Sequence, residues 1–249
     1  MKALRPATTF LVFLALWWLA SRYSSVPAFM LPPPAAVAAA LWAQRGLLLG
    51  NTLVTLAEIL LGLFCGTLLG GVAALGIVFS PALQRWLMPV LVVSQAIPVF
   101  ALAPLMVLWF GFGMAAKIIM AMLVIFFPVT ASFADGLRRT PPGWLDLAYT
   151  MNASPWAVLR HIRLPAALPA FASGLRVATA IAPIGAIIGE WAGASSGLGY
   201  IMLNANARIQ TALMFAALFI LAVLTIALYV LVDRLLRRLL YWVPESSGG

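Results

Sequence analysis

The sequence predicts an all-α integral membrane protein, on three observations: its composition, its succession of apolar spans, and the side on which its basic residues fall. Of 249 residues 64% are hydrophobic and 8% charged, and the mean hydropathy is +1.07. Soluble domains carry about 25% charged residues, so composition alone sets this chain in a bilayer. Six apolar spans can be drawn, with both termini on one side. That side then holds Lys2, Arg5, Arg85, Arg138, Arg139, Arg160, Arg163, Arg176, Arg234, Arg237 and Arg238. Only Arg22, Arg45, Lys117 and Arg208 fall on the other, and such an excess marks the cytoplasmic side. The net charge of +9 is thereby a signature of topology, and no nucleic-acid partner is expected. The chain is thus expected to cross a membrane several times, with lipid as the surrounding partner.

In order, Thr8 to Ser21 reads as an uncleaved first span, preceded by Lys2 and Arg5. Leu31-Pro32-Pro33-Pro34 demands an extended external connector. Ala35 to Leu49 is an Ala-rich surface helix, interrupted at Gln44, Arg45 and Gly46. Residues 1–50 therefore form the first span and an external helix, ahead of a core over 51–242. Asn51 to Val78 is the second span, where Gly62, Gly66 and Gly70 recur every fourth residue and present a bare face for helix packing. Trp86 to Phe110 is the third span. Ser94 and Gln95 lie within it, and Pro98 and Pro104 free carbonyls that need a protein or cavity neighbour. Ala115 to Ala134 is the fourth span, Ala170 to Glu190 the fifth, and Ala212 to Val232 the sixth. The stretch from Trp191 to Tyr200 is too rich in glycine for a helix. Cys65 is the sole cysteine and has no internal disulfide partner.

Between spans four and five lies a cytoplasmic loop, 135–169, with a largely polar island from Asp146 to Pro169. Leu145, Ala148 and Tyr149 recur at helical spacing, as do Trp156, Leu159 and Ile162. Asn152 stands between the two sets and tolerates the left-handed conformation that ends helices. Ser154 offers an N-cap and Pro155 a first-turn proline, so a second helix starts there, and Pro165 is expected to close it.

The island resembles the cytoplasmic loop of ABC-importer permeases, the binding-protein-dependent type I family. That pattern runs Glu-Ala-Ala, three residues, Gly, nine residues, Ile-x-Leu-Pro. Here Asp146-Leu147-Ala148 fills the triplet, Asn152 takes the glycine position, and Ile162, Leu164 and Pro165 fall in register. The stretches SQAIPVFALAPLMVLWFGFG, PVTASFADGLRRT and GEWAGASSGLGYIMLNANARIQTALMFAAL resemble one branch, the permeases for nitrate, sulfonates, taurine and thiamine precursors. The last is most similar to permeases for hydroxymethylpyrimidine-type thiamine precursors.

The resemblance implies a type I importer permease fold, a permease homodimer, a cytoplasmic ABC ATPase and an external (periplasmic) substrate-binding protein. It puts ATP and Mg on the ATPase and no cofactor on this chain. It assigns ATPase coupling to Asp146, Ala148, Asn152, Ala153, Ser154, Trp156, Arg160, Ile162, Leu164 and Pro165. The residues themselves show no GxxxxGK[ST] phosphate loop and no metal-ligand cluster, so no catalytic residue is expected here. Ionisable residues within spans are functional candidates by default. Glu58, Glu190, Trp191, Ser94 and Gln95 are accordingly translocation-path candidates. Salt bridges of Glu58 and Glu190 with Lys117 and Arg208 are the competing reading. The implied cargo is a thiamine-precursor pyrimidine; an aliphatic sulfonate, taurine or nitrate is the alternative. A stand-alone channel or scaffold subunit is the reading from another class.

Overall fold

Helices account for every regular element among the residues that the computed structural model describes, 4–23 and 25–243. They are α1 (Leu4–Tyr23), α2 (Pro34–Ala43), α3 (Arg45–Phe79), α4 (Pro81–Ala96), α5 (Val99–Phe110) and α6 (Met114–Arg138). Then come α7 (Pro142–Thr150), α8 (Pro155–Val158), a π turn over Leu159–Arg163, α9 (Leu164–Trp191), α10 (Leu198–Ala207) and α11 (Thr211–Leu239). Lys2 lies outside the described residues.

The centre is a three-helix stack of α3, α6 and α9, held by small residues. A methyl built on Gly62 would lie 2.5 Å from Ala121 Cβ, on Gly66 2.8 Å from Ile125 Cγ2, and on Gly70 3.0 Å from Val129 Cγ1. The repeat seen in the sequence is therefore the seam against α6, where close backbone approach replaces side-chain volume. Numbers rise together along that seam, so α3 and α6 run parallel. α9 packs the other way: Gly174 meets the Pro128 carbonyl, Gly185 the Ala121 Cα, and Gly189 the Lys117 Cα. Ile59, Ile125, Val129, Ala178 and Ala182 complete this core. α11 joins it at the basic end, where Arg176 Nε donates to Asp233 Oδ1 at 2.7 Å. At the opposite end Trp17 of α1 stacks on Phe215, ring centroids 5.9 Å apart. The basic end is the cytoplasmic one by the positive-inside rule.

Several expectations are corrected. Four described helices are long and apolar enough to cross a membrane: α3, α6, the run Pro155–Trp191, and α11. α1 runs over 20 residues, Leu4–Tyr23, about 30 Å at 1.5 Å per residue. The third span is broken: α4 and α5 meet at 106°. Pro98 has no N–H and holds Ile97 extended at ψ 121°, so the helix cannot continue through the pair.

Pro165 does not close the second island helix. The chain widens into the π turn just before it, where the Leu164 N–H donates to the Leu159 carbonyl. The wider turn accommodates the proline ring, and the helix runs on into α9. The fifth span thus begins well before Ala170. Last, the glycine-rich stretch ends in a helix, since α10 starts at Leu198. On the external side, Gln44 does interrupt the surface helix, but Arg45 already opens the 35-residue α3.

Candidate functional site

At the cytoplasmic end the island is ordered by its own backbone chemistry. α7 stops in a reciprocal pair of bonds: the Asn152 N–H donates to the Tyr149 carbonyl at 2.9 Å, and the Ala153 N–H to the Ala148 carbonyl at 3.0 Å. That motif needs a left-handed residue just past the cap, and Asn152 supplies it with φ 56°. Two residues on, Ser154 Oγ accepts the Ala157 N–H at 3.3 Å and starts α8. Ala148, Val158 and Leu159 are buried, and Leu159 packs with Ala74, Phe133, Leu137 and Ala167. These contacts fix the island to the core of the bundle.

What it presents outward mixes aromatic, apolar and charged side chains. Trp156 is 66% exposed, and Asp146, Asn152 and Arg160 are exposed beside it. Ala153, Ile162, Leu164 and Pro165 are half-buried. Trp144, Leu147 and Met151 are exposed too. They share one face of α7 at spacings of three and four, and sequence reasoning missed them although that spacing was visible. A groove of about 750 Å³ runs past Arg139, Trp144, Leu147, His161, Pro165 and Trp242. His161 Nδ1 lies 3.1 Å from the Ala157 carbonyl, a helical bond that gives the only histidine a local structural role.

The expected path residues divide. Glu58 and Glu190 are 0% and 1% exposed, and neither carboxylate reaches a surface of the protomer. Glu58 Oε1 accepts from Lys117 Nζ at 2.8 Å, tying α3 to α6. Its Oε2 has no hydrogen-bond partner among the described residues. Arg208, offered by the sequence as another ion-pair partner, is exposed and takes no part. Ser94 Oγ donates to the Leu91 carbonyl at 2.7 Å, and Gln95 is exposed at the α4–α5 bend. Trp191 is half-exposed and borders a separate recess with Pro183, Met202 and Leu221.

Glu190 belongs to a cap that the sequence did not reveal. The first four N–H groups of a helix lack partners within it, and those of α10 are taken by other helices. Gly197 N–H donates to Asn51 Oδ1 at 2.6 Å, and Leu198 N–H to Thr55 Oγ1 at 2.8 Å. Gly199 N–H donates to Glu190 Oε2 at 2.5 Å, joined by Tyr200 N–H at 3.3 Å. Thr55 Oγ1 in turn donates to Glu190 Oε1 at 2.6 Å. Gly197 has φ +116°, and a Cβ there would overlap the Glu190 carboxyl, so glycine is required both by conformation and by space. Asn51, Thr55 and Glu58 lie at i, i+4 and i+7 on the stripe that Gly62, Gly66 and Gly70 continue. This spacing is the one signal that could have shown a polar seam.

Residues 66–241 match the family model described as binding-protein-dependent transport system inner membrane component. The chain belongs to that permease family. Among relatives, the permease is 53% identical over 97% of its length and 99% of theirs to a "Probable ABC transporter permease protein" of Haemophilus influenzae. It is 37% identical to the riboflavin transport system permease protein RibX of Chloroflexus aurantiacus, covering 96% of this chain and 90% of that one. It is 35% identical to the formylaminopyrimidine transport permease protein ThiX of Halalkalibacterium halodurans, covering 97% and 96%. In fold it is similar to a chain of the inward-facing MetNI methionine ABC transporter, with TM-score 0.69 at 22% identity over 79% of this chain and 97% of that one. The permease is therefore a multi-pass inner-membrane, solute-translocating subunit. ATP hydrolysis in such machines belongs to a separate ATPase, and an external binding protein is the family's other partner.

Proposed function

We propose that this permease imports a thiamine-precursor pyrimidine, as a homodimer driven through the Asp146–Pro165 island by a cytoplasmic ATPase that holds ATP and Mg. The observation that carries the coupling role is the outward presentation of Trp156 on a helix whose start is fixed by Asn152 and Ser154. A large aromatic side chain on a rigid, polar-rimmed projection is the kind of anchor that dominates protein interfaces. Asp146 and Arg160 add charge on the same exposed surface, while Ala148, Ala153, Ile162, Leu164 and Pro165 seat the projection.

The cargo is supported by the relatives named for ring compounds, riboflavin and formylaminopyrimidine, at 37% and 35% identity. Those named for taurine and aliphatic sulfonates stand at 30%, 31% and 32%. A second copy is supported by the α4–α5 pair. Val90, Val93, Phe100, Leu108 and Trp109 are exposed along it, and Gln95 sits at its bend. An amide on a lipid-facing surface is unfavourable, so Gln95 and Ser94 face the partner copy and the path between the two copies. Trp191 lines that path near its outer end.

The test is a ligand screen of the cognate external binding protein by thermal shift, followed by uptake into proteoliposomes carrying permease, ATPase and ATP. Stabilisation by the pyrimidine and its ATP-dependent uptake are expected. Stabilisation by taurine, alkanesulfonates or nitrate alone would refute the cargo. Uptake that persists without the ATPase would refute the machine and favour a channel.

A further inference from the structure

The run from Pro155 to Trp191 is one 37-residue helical rod, about 55 Å long at 1.5 Å per residue. Its cytoplasmic end is the projection bearing Trp156. Its outer end is Glu190, whose carboxylate takes two of the four leading N–H groups of α10. The other two go to Asn51 and Thr55 of α3. α10 has no side-chain cap of its own, since its N-cap residue is Gly197. In a buried, water-poor setting a freed N–H is costly. α10 must therefore keep its borrowed partners, and Gly197 leaves no slack, because the carboxyl fills the place a Cβ would take.

We propose that Glu190 is a positioning residue through which displacement of the rod at its cytoplasmic end is passed to α10 at the outer mouth. The latch lies in the same protomer as the projection and needs no contact with cargo. On the α9 side its bonds run from Gly199 at 2.5 Å and from Tyr200 at 3.3 Å. On the α3 side they pass through Thr55, which bridges the two helices by donating to Glu190 while accepting from Leu198. Movement of α9 against α3 thus strains the shared Thr55 hydroxyl first and carries α10 along with α9. The exposed flank of α10, with Leu203 and Arg208 on it, is the surface that such a movement would shift. This inference rests on the coupling role proposed for the island.

The test uses the complete permease–ATPase complex in nanodiscs with Cys65 replaced by Ser and spin-label pairs read by pulsed electron paramagnetic resonance, with and without ATP. Labels at Ser173 and Leu68 report the rod against α3; labels at Leu203 and Leu53 report α10. With Glu190 in place, both distances are expected to change on adding ATP. In Glu190→Ala the rod distance changes as before, while the change at α10 falls to less than half. Glu190→Asp, one methylene short of the α10 amides, behaves like Ala while keeping the charge, and it carries the test if the Ala variant does not assemble. Glu190→Gln, which keeps an acceptor oxygen, restores most of the α10 change. An α10 change of full amplitude in both the Ala and Asp variants would overturn the proposal. A rod that stays still when Glu190 is present would overturn the coupling reading, and the relay with it.

Discussion

Replacing Asn152 is the sharpest local perturbation of the island. At φ 56° a residue with a Cβ other than Asn or Asp pays roughly 1–2 kcal/mol, and a β-branched side chain pays more. If Val escapes by leaving the left-handed region, the 2.9 and 3.0 Å bonds of the α7 terminus are lost, at about 0.5–1.5 kcal/mol each. Either route destabilises the turn by about 1–3 kcal/mol, a shift of roughly fivefold to over a hundredfold toward the frayed turn. Asn152→Gly keeps the geometry and is expected to transport normally. Asn152→Val is expected to raise the ATP hydrolysed per solute imported, in proteoliposomes of the full complex. Hydrogen exchange at the Ala153 amide checks the cause, since its protection should fall in Val and hold in Gly. Normal coupling in Val with the Ala153 amide still protected would refute the reasoning.

Further outcomes follow from the bundle. Gly66→Val puts three carbons where one would already lie 2.8 Å from Ile125, and over-packing of about 1–3 kcal/mol should lower the detergent melting temperature. An unchanged melting curve would remove the α3–α6 seam. Lys117→Met leaves Glu58 buried without its partner and should destabilise by about 3–5 kcal/mol. Adding Glu58→Met should recover most of that loss, and failure to recover would mean that Lys117 acts elsewhere. Gly197→Ala should displace the Glu190 carboxyl and reduce ATP-driven uptake while ATP hydrolysis continues; undiminished uptake would show that the α10 cap tolerates a side chain.

Local signals in the sequence proved sound where the chemistry is local. Asn152, Ser154 and Pro155 mark a turn and a helix start through short-range hydrogen bonds, and the structure has them. The Gly62-Gly66-Gly70 face is equally local, because a four-residue repeat of missing side chains means close approach whatever the neighbour. Pro98 was noted as a carbonyl-freeing residue yet kept inside one span, and the bend it makes with Ile97 is the backbone consequence that was underweighted. Pro165 misled in the opposite direction: a π turn upstream makes room for its ring, and nothing in LRHIR announces that widening. α10 was missed because half of its start signal lies about 140 residues away, on Asn51 and Thr55. No window along the chain joins those side chains to Gly197 and Leu198.

The central claim is that the Asp146–Pro165 island is where a separate ATPase delivers its work. Its most direct test is a single cysteine at Trp156, in a Cys65→Ser background, cross-linked within the assembled complex to the ATPase. A cross-link whose yield changes between the nucleotide-free and ATP-bound states is the predicted result. A cysteine that is labelled instead by an impermeant reagent from outside the membrane, with no cross-link in either state, would contradict the account.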